Sequence, residues 1–299
     1  MNNIPHPFSP IPFVEHGGSG LPLHFLHANG YPPGCYQPLL ELLQTNYHVF
    51  GMLLRPLWEN SKPADVNDWR IFSDDLLRFL ASTTFAPLSP LSATPQSSPV
   101  IAVGHSIGAT VTLRAALREP DKFRALVLIE PVLFPTARML AWNFVRAIGL
   151  GNRLHPKIPA ASKRRRTFDN LDLVFRGYRK REVFRYMDDE NLRSYINGIT
   201  RPSSNGSYEL VFSPEWEARI YYTGLRDFDI WRQLPNLKVP ALFLRAAETD
   251  TFWEQAAKLV KRKQPRARVE TLERSTHLLP LERPKDVFEI VQSFLKEIP

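Results

Sequence analysis

A Gly-His-Ser-Ile-Gly pentapeptide at residues 104–108 constrains the fold of this chain more than any other feature. The β-branched run Val100–Val103 precedes it and predicts a buried strand. The segment Ile107–Leu117 overlaps its end and predicts a helix that stops before Pro120. A serine in so tight a turn requires strained backbone, and the flanking glycines let strand and helix approach each other. The pattern therefore predicts that the Ser106 hydroxyl is held out at the tip of the turn.

Short apolar runs alternate with longer helical patterns along the chain, which is typical of an α/β protein whose mainly parallel sheet is flanked by helices. The segment Ser82–Ser98 is rich in Pro, Ser and Thr and predicts a surface loop. The predicted strands are Leu21–Leu26, Val49–Leu54, Val100–Val103, Ala125–Ile129, Ala241–Arg245 and Arg268–Leu272. The predicted helices are Pro38–Gln44, Asp68–Ala81, Ile107–Leu117, Phe252–Lys263 and Pro284–Lys296.

The alternation stops between Pro131 and Leu237, where aromatic residues, charged residues and helical patterns replace the strands. We expect an inserted helical cap at residues 132–236, and a core formed by residues 1–131 and 237–299. An insertion at this point lies over the carboxyl edge of the sheet, where open α/β sheets bind ligands. Most of its aromatic residues are expected to form the core of the cap, because a small helical layer must bury its own apolar side chains.

The composition of the 299-residue chain, 43% hydrophobic and 23% charged, is typical of a soluble globular protein. No apolar run approaches the roughly 20 residues of a membrane span, and Met1–Pro12 lacks the features of a signal peptide, so we expect a cytoplasmic protein. Cys35 is the single cysteine and is expected to be structural or incidental. Neither a metal-ligand cluster nor a dinucleotide fingerprint occurs, so the sequence implies no metal and no organic cofactor.

The net charge of +8 is concentrated in Arg138–Arg185, which contains 13 Lys/Arg residues and three acidic residues. Its densest run is Lys163, Arg164, Arg165 and Arg166. A solvated helical face is the ordinary explanation of such a run. The alternatives are attraction of an anionic or lipid-like acyl substrate, or peripheral contact with a membrane surface. Nucleic acid is not expected as a partner, because no recognised binding module accompanies the charge.

A serine nucleophile needs a general base, and the base needs an acid that orients it. His277 is the candidate base, because it follows the last predicted strand and precedes the final helix. Asp250 is the preferred acid, because it follows the penultimate strand and keeps the chain order Ser, acid, His. An N-cap of the next helix would also account for Asp250. Glu248 and Glu130 are the alternative acids.

Acyl transfer also requires N–H donors for the oxyanion of the tetrahedral intermediate. The backbone N–H of Ile107, the residue after the serine, is the first candidate. The second is the backbone N–H of Asn29, in a turn whose small residues and glycines let the backbone approach the reacting carbonyl. His27 is expected to stiffen this turn by hydrogen bonding, and His105 is expected to be a turn residue.

With these motifs in this order, the chain resembles proteins of the α/β-hydrolase fold from about Leu21 to Phe294. The motifs that carry the resemblance are Gly-His-Ser-Ile-Gly, His-Ala-Asn-Gly-Tyr-Pro, Arg-Ala-Ala-Glu-Thr-Asp and Ser-Thr-His. The resemblance implies a nucleophile elbow, an oxyanion hole and a variable cap. Little chain precedes Leu21, so the sheet is expected to begin short or to use only Phe8–Glu15 for its first strands.

The residues and the resemblance together predict a serine hydrolase that cleaves a carboxylic ester or a related acyl bond of a small molecule. A serine at position 106 argues against haloalkane dehalogenases and epoxide hydrolases, which use a carboxylate nucleophile there. Acyl transfer, C–C hydrolysis and cofactor-free perhydrolysis use the same triad and stay open. The alternative from another class is a ligand-binding or receptor-like protein with negligible turnover, since the fold alone does not determine the function.

Overall fold

The computed structural model describes residues 11–82 and 98–298, and two β-sheets occur within them. In chain order the strands are β1 (Phe13–Gly17), β2 (Leu21–Leu26), β3 (Tyr47–Met52), β4 (Val100–His105), β5 (Phe123–Ile129), β6 (Thr167–Phe168), β7 (Thr200–Pro202), β8 (Tyr208–Leu210), β9 (Ala241–Glu248) and β10 (Arg268–Thr276). The larger sheet has the strand order β1-β3-β2-β4-β5-β9-β10. Strand β1 is antiparallel to β3, and the other neighbours in this sheet are parallel.

The described helices cover both faces of the larger sheet and fill the segment between β5 and β9. In chain order they are α1 (Gln37–Gln44), α2 (Arg70–Ser82), α3 (Ile107–Arg118), α4 (Thr136–Ala147), α5 (Gly151–Leu154), α6 (Ile158–Ser162), α7 (Leu171–Arg179), α8 (Asp189–Ile199), α9 (Pro214–Thr223), α10 (Phe228–Gln233), α11 (Glu254–Lys263), α12 (Leu279–Glu282) and α13 (Pro284–Lys296). None of the described helices is long and apolar enough to cross a membrane.

Two apolar cores lie on opposite faces of the sheet, and strand β5 shows how the sequence builds them. Leu126 and Leu128 pack into the core that contains residues of α2 and α3, whereas Val127 and Ile129 pack into the core that contains residues of α1 and α13. Successive side chains of a strand point to opposite faces, so a strand covered on both faces must be apolar at every position. This requirement explains the continuous apolar runs that predicted the strands.

All six predicted strands and all five predicted helices occur, most of them with shifted ends. Strand β3 begins at Tyr47, because its parallel pairing with β2 starts there, and it ends at Met52 instead of Leu54. One described strand, Phe13–Gly17, precedes Leu21. Of the two expectations for this end of the sheet, it agrees with the one that allowed a strand before Leu21. Residues 1–10 and 83–97 lie outside the described part, and with them most of the predicted loop.

The segment between β5 and β9 contains α4 to α10 together with the smaller antiparallel sheet, whose order is β6-β8-β7. The sequence predicted only helices here, because strands of two or three residues are too short to show an alternating pattern. Aromatic residues of this segment are buried as expected, among them Phe168, Phe184 and Tyr195. Cys35 is also buried, and its thiol donates a hydrogen bond to the Tyr195 carbonyl at 3.8 Å. The limits of a separate cap at residues 132–236 stay a prediction.

Candidate active site

Ser106 occupies the turn between β4 and α3 in a strained conformation. Its φ of 57° and ψ of −121° lie in a region that non-glycine residues rarely adopt. The turn is held in place because the Ser106 N–H donates to the carbonyl of Ile129 at 2.9 Å. The structure therefore confirms the tight strand-to-helix turn predicted for the pentapeptide.

The two glycines of the pentapeptide are required by close backbone contacts. A Cβ on Gly104 would lie 2.6 Å from the carbonyl carbon of Gly108, across the turn. A Cβ on Gly108 would collide with the carbonyl oxygen of Leu26, in the neighbouring strand β2. Any larger residue at either position would push helix α3 away from the sheet and would displace Ser106 with it.

Three side chains from distant parts of the chain form a hydrogen-bonded relay at the carboxyl edge of the sheet. His277, in the turn after β10, places its Nε2 3.0 Å from Ser106 Oγ. The other ring nitrogen, Nδ1, lies 3.2 Å from Oε2 of Glu130. Glu130 directly follows β5 and has a φ of 48°, so its side chain also starts from a strained backbone. The arrangement is that of nucleophile, base and orienting acid.

Burial opposes the charged forms of both Glu130 and His277. The pKa of the fully buried Glu130 is raised by desolvation, although hydrogen bonds from the Ala246 N–H at 2.7 Å and from the Thr249 hydroxyl favour its carboxylate. Burial, aided by the nearby Lys157 cation, lowers the pKa of His277 to about 3, and Asp250 opposes this shift only in part. A neutral His277 whose Nδ1–H donates to Glu130 leaves Nε2 unprotonated, as a general base requires.

Asp250, the acid preferred from the sequence, is not the hydrogen-bonding partner of His277 in this structure. Its carboxylate lies 2.8 Å from Lys157 Nζ and accepts the Thr251 hydroxyl, and its side chain is 58% exposed. Desolvation would raise the pKa of Asp250, but Lys157, His277 and the Thr251 hydroxyl together outweigh this effect and hold the pKa at about 2. The N-cap alternative also does not apply, because α11 begins at Glu254 with Trp253 as its N-cap.

The side-chain contacts, and not the sheet order, decide which carboxylate reaches the histidine. His277 follows β10, which lies beside β9, the strand that leads to Asp250, and two strands away from β5, the strand that leads to Glu130. The 3.2 Å contact with His277 nevertheless makes Glu130 the alternative acid that the structure brings to the base. The other alternative, Glu248, is exposed and pairs with Arg185 and Tyr186 instead.

His105 is more than a turn residue, and its role is the main one that the sequence did not indicate. The fully buried ring donates from Nε2 to the His277 carbonyl at 2.8 Å and receives the Tyr36 hydroxyl at Nδ1, also at 2.8 Å. Tyr36 in turn accepts the N–H of Ala28 at 3.2 Å. Burial lowers the pKa of His105 well below its ordinary value, so the ring stays neutral. This chain of hydrogen bonds joins the turn before Asn29, the end of β4 and the His277 turn.

The turn that carries Asn29 is held rigidly beside Ser106. His27 stiffens it as predicted, because its Nδ1–H donates to the Ala28 carbonyl at 3.0 Å while its Nε2 accepts the Leu54 N–H at 3.1 Å. The Asn29 side chain donates to the backbone carbonyl of Glu217 at 3.1 Å. Asn29 and Ile107 both line the cavity that contains Ser106. Their backbone N–H groups as oxyanion donors stay a prediction.

The arginines of the basic run are paired with carboxylates and do not line this cavity. Arg164 forms a largely buried ion pair with Glu217 at 2.5 Å, directly beneath the Asn29 turn. Arg165 pairs with Asp169 at 3.2 Å, and Arg166 pairs with Glu215. The solvated face expected for the run therefore applies to Arg165 and Arg166, which are exposed, but not to Arg164.

A cavity of about 550 Å³ opens onto Ser106 and His277. Its wall is mostly apolar, and the segment between β5 and β9 supplies much of it. Two cations, Arg138 and Lys157, and one carboxylate, Asp250, also line the wall. Such a cavity accepts an apolar group of moderate size next to the nucleophile. The main apolar lining residues are Val132, Phe134, Ala141, Trp142, Val145, Leu154, Ile220, Leu225 and Trp253.

Comparisons with known proteins agree with this fold. The chain matches the model of the alpha/beta hydrolase family over residues 25–290. The uncharacterized hydrolase YugF of Bacillus subtilis (strain 168) is 23% identical over 273 residues, which are 87% of this chain and 85% of the relative. Solved structures are also similar at low identity, among them a hydrolase and an esterase. E-2-(acetamidomethylene)succinate hydrolase has a TM-score of 0.70 at 21% identity and covers 95% of this chain and 94% of its own. The esterase Rv0045c of Mycobacterium tuberculosis has a TM-score of 0.64 at 19% identity, and the match covers 93% of this chain and 85% of the esterase chain.

Proposed function

The chain belongs to the alpha/beta hydrolase family, and on that premise we propose that this hydrolase cleaves a carboxylic ester or a related acyl bond through Ser106. The observation that carries the proposal is the continuous relay from Ser106 Oγ through His277 to Glu130, with contacts of 3.0 and 3.2 Å. We assign Ser106 as nucleophile, His277 as general base and Glu130 as the orienting acid. Asp250 is assigned a different role, as a charge near the base.

In the acylation half-reaction, Ser106 Oγ attacks the carbonyl carbon of the substrate while its proton moves to Nε2 of His277. The imidazolium that forms is stabilised by the Glu130 carboxylate, which accepts its Nδ1–H. The backbone N–H groups of Ile107 and Asn29 hold the oxyanion. When the tetrahedral intermediate collapses, the bond to the leaving alkoxide breaks, and the alkoxide takes the proton from Nε2 and departs as an alcohol.

Deacylation repeats the same sequence with water in place of the serine. His277 removes a proton from the water as it attacks the acyl carbon, and the proton then passes to Ser106 Oγ as the acyl bond breaks and the carboxylic acid leaves. The strained backbone at Ser106 and Glu130 supports this assignment, because strain of this kind is concentrated at functional sites. The apolar wall of the 550 Å³ cavity favours an apolar acyl or alcohol group.

The assignment is tested with a fluorophosphonate probe and a panel of p-nitrophenyl esters. We expect the probe to label the wild-type protein, and we expect Ser106→Ala to abolish both labelling and ester turnover. Ser162→Ala, which removes a hydroxyl in helix α6 that hydrogen-bonds Ile158, is the matched control and should retain both. Labelling of Ser106→Ala at the wild-type rate would overturn the nucleophile assignment.

The same assays separate this proposal from its alternatives. A receptor-like protein would show ligand-induced thermal stabilisation without turnover of any ester, thioester or lactone in the panel. Acyl transfer, C–C hydrolysis and perhydrolysis would each require the same Ser106 relay but would favour a different acceptor or substrate over simple esters. Fast ester hydrolysis that His277→Ala abolishes would support the ester hydrolase over all of them.

A further inference from the structure

A second cavity, of about 470 Å³, lies on the other side of helix α4 and gathers three arginines. Arg146 comes from α4, Arg219 from α9, and Arg226 from the loop after α9. Among the residues that the structure describes, no carboxylate lines this cavity. We refer to it as the three-arginine pocket.

The arginines of this pocket have only neutral hydrogen-bond acceptors. Arg146, which is 8% exposed, donates to the Tyr222 carbonyl at 3.1 Å and to the Asn143 side chain at 3.2 Å. Arg219 donates to the carbonyl of Val66 at 2.8 Å and to the Asn67 side chain at 3.2 Å.

Arg226 donates to the Asn67 carbonyl at 3.4 Å. Across residues 11–82 and 98–298, none of the three arginines forms an ion pair with a carboxylate. Arg164, Arg165 and Arg166 of the same inserted segment, in contrast, are each paired with one. The Arg146 cation is largely removed from water without a counter-ion, which is costly, so a bound anion would stabilise the pocket.

The geometry of the pocket fits a phosphate group. A guanidinium presents a planar set of donors that matches phosphate oxygens in pairs, and three arginines line this pocket. The Arg146 and Arg219 guanidinium carbons also lie 5.6 and 5.8 Å from the centroid of the same Tyr222 ring, which helps to hold their planes in place.

An apolar ridge runs along α4 beside the three-arginine pocket. It consists of Leu140, Phe144 and Ile148, whose exposed fractions are 58%, 65% and 52%. Their spacing of four residues places them on one face of the helix. Large apolar side chains are normally withdrawn from water, so three in a row on one exposed face indicate a surface that meets an apolar partner.

The ridge separates the two cavities. On one side of it, Arg146 and its neighbour Ala147 line the three-arginine pocket. On the other side, Ala141 and Val145 line the cavity that contains Ser106. A partner that covers the ridge would therefore lie next to the mouth of the candidate active site.

We propose that the three-arginine pocket and the ridge together dock an anionic phospholipid bilayer. The pocket takes a headgroup phosphate, and Leu140, Phe144 and Ile148 enter the acyl region beneath it. Charge complementarity supports this occupant, because the three arginines beside the ridge form no ion pair with a carboxylate among the residues that the structure describes. The same positive charge disfavours a second copy of the chain on this face, since two such faces would repel each other. A free phosphate would use the pocket but would leave the ridge uncovered.

The experiment is co-flotation of the full chain with vesicles of phosphatidylcholine alone or with 30% phosphatidylglycerol. We expect binding to the anionic vesicles that weakens as NaCl is raised from 0.05 to 0.5 M. Arg219→Gln/Arg226→Gln should weaken it about tenfold or more, because the pocket then loses two of the three cations that attract the headgroup phosphate. Leu140→Gln/Phe144→Gln should weaken it about as much, and these exposed positions tolerate the change without unfolding.

Two matched controls make the result specific. Arg165→Gln/Arg166→Gln removes two exposed arginines that are already paired, and Leu173→Gln/Val183→Gln removes two exposed apolar residues elsewhere in the inserted segment. Both should bind like the wild type, and all variants should hydrolyse a soluble short-chain ester at the wild-type rate. Because vesicle binding is measured without turnover, its outcome is independent of the proposed hydrolase activity.

Three outcomes would overturn the proposal. The first is wild-type protein that does not float with anionic vesicles. The second is binding that the pocket and ridge variants leave unchanged. The third is a dimer detected by light scattering that Leu140→Gln/Phe144→Gln dissociates while vesicle binding is absent, which would assign the ridge to a second copy of the chain. If inorganic phosphate binds in the pocket and the protein does not bind vesicles, the pocket would be assigned to a soluble anion.

Discussion

His277 hydrogen-bonds to Glu130, which directly follows β5, and not to Asp250, which follows β9. The two carboxylates thus have different relations to the base. Glu130 touches the imidazole from a fully buried position, whereas Asp250 acts on it at a distance and is itself paired with Lys157. The two assignments can be separated by experiment.

Replacing Glu130 should cost far more activity than replacing Asp250. In Glu130→Gln the amide cannot stabilise the imidazolium of His277, so we expect kcat/KM for a neutral ester to fall about 10³- to 10⁴-fold. Asp250→Asn should lower it less than about tenfold. Steady-state kinetics on folded protein, checked by circular dichroism, measure both values. The reverse order of losses would return the acid role to Asp250.

The Lys157–Asp250 pair should set the pH at which activity is lost on the acid side. The acid limb of kcat/KM reports protonation of the coupled His277–Glu130 pair in the free enzyme. Lys157→Gln removes a cation that lowers the pKa of His277, so the limb should move to higher pH. Asp250→Asn removes an anion that raises this pKa, so the limb should move to lower pH.

A neutral ester is used for these pH profiles, because Lys157 and Asp250 line the cavity and would also act on a charged substrate. Lys163→Gln, an exposed residue outside the cavity, is the control and should leave the profile unchanged. Shifts of both variants in the same direction would contradict the electrostatic explanation.

Gly108→Ala should destabilise the protein and reduce the fraction of active sites. The new Cβ collides with the Leu26 carbonyl oxygen, a backbone atom that cannot move without displacing β2. We expect the free energy of unfolding to fall by about 2–3 kcal/mol. Gly177→Ala is the control, since a Cβ there meets no atom within 4 Å, and it should be neutral or should stabilise α7 by about 0.5–1 kcal/mol. Urea unfolding and titration with the fluorophosphonate probe measure both effects.

Arg164→Gln should destabilise the protein, although the residue belongs to a run that looks solvent-exposed in the sequence. The change leaves Glu217 buried beneath the Asn29 turn without its counter-charge, at a cost of about 3 kcal/mol. Arg166→Gln breaks only an exposed pair and should lower the free energy of unfolding far less than Arg164→Gln does. Thermal and urea unfolding compare the two. Equal effects would mean that the Arg164–Glu217 pair contributes no more than a surface ion pair.

Local patterns in the sequence predicted most of the fold. The apolar runs identified β2, β4 and β5 because a strand buried on both faces must be apolar at each position. The two-residue strand β6 and the three-residue strands β7 and β8 were missed because they depend on pairing with one another and not on a pattern of their own.

Within the candidate site, the sequence by itself pointed to the proposed nucleophile and the proposed base. The Gly104 and Gly108 pattern singles out Ser106, and the position of His277 after the last strand places it at the same edge of the sheet. Only the tertiary structure decided which carboxylate reaches the base, because Glu130, Glu248 and Asp250 all lie at or just beyond the carboxyl ends of their strands.

The same limit applies to the charges. The sequence shows where arginines are concentrated, but only folding decided that Arg164 is neutralised by Glu217, 53 residues away, while Arg146, Arg219 and Arg226 meet without a carboxylate. Helices and strands depend on residues a few positions apart in the chain, and the periodicity of those residues can be read directly from the sequence. Hydrogen bonds and ion pairs between distant residues depend on positions defined to within about an ångström, and only the packing of helices against the sheet sets those positions.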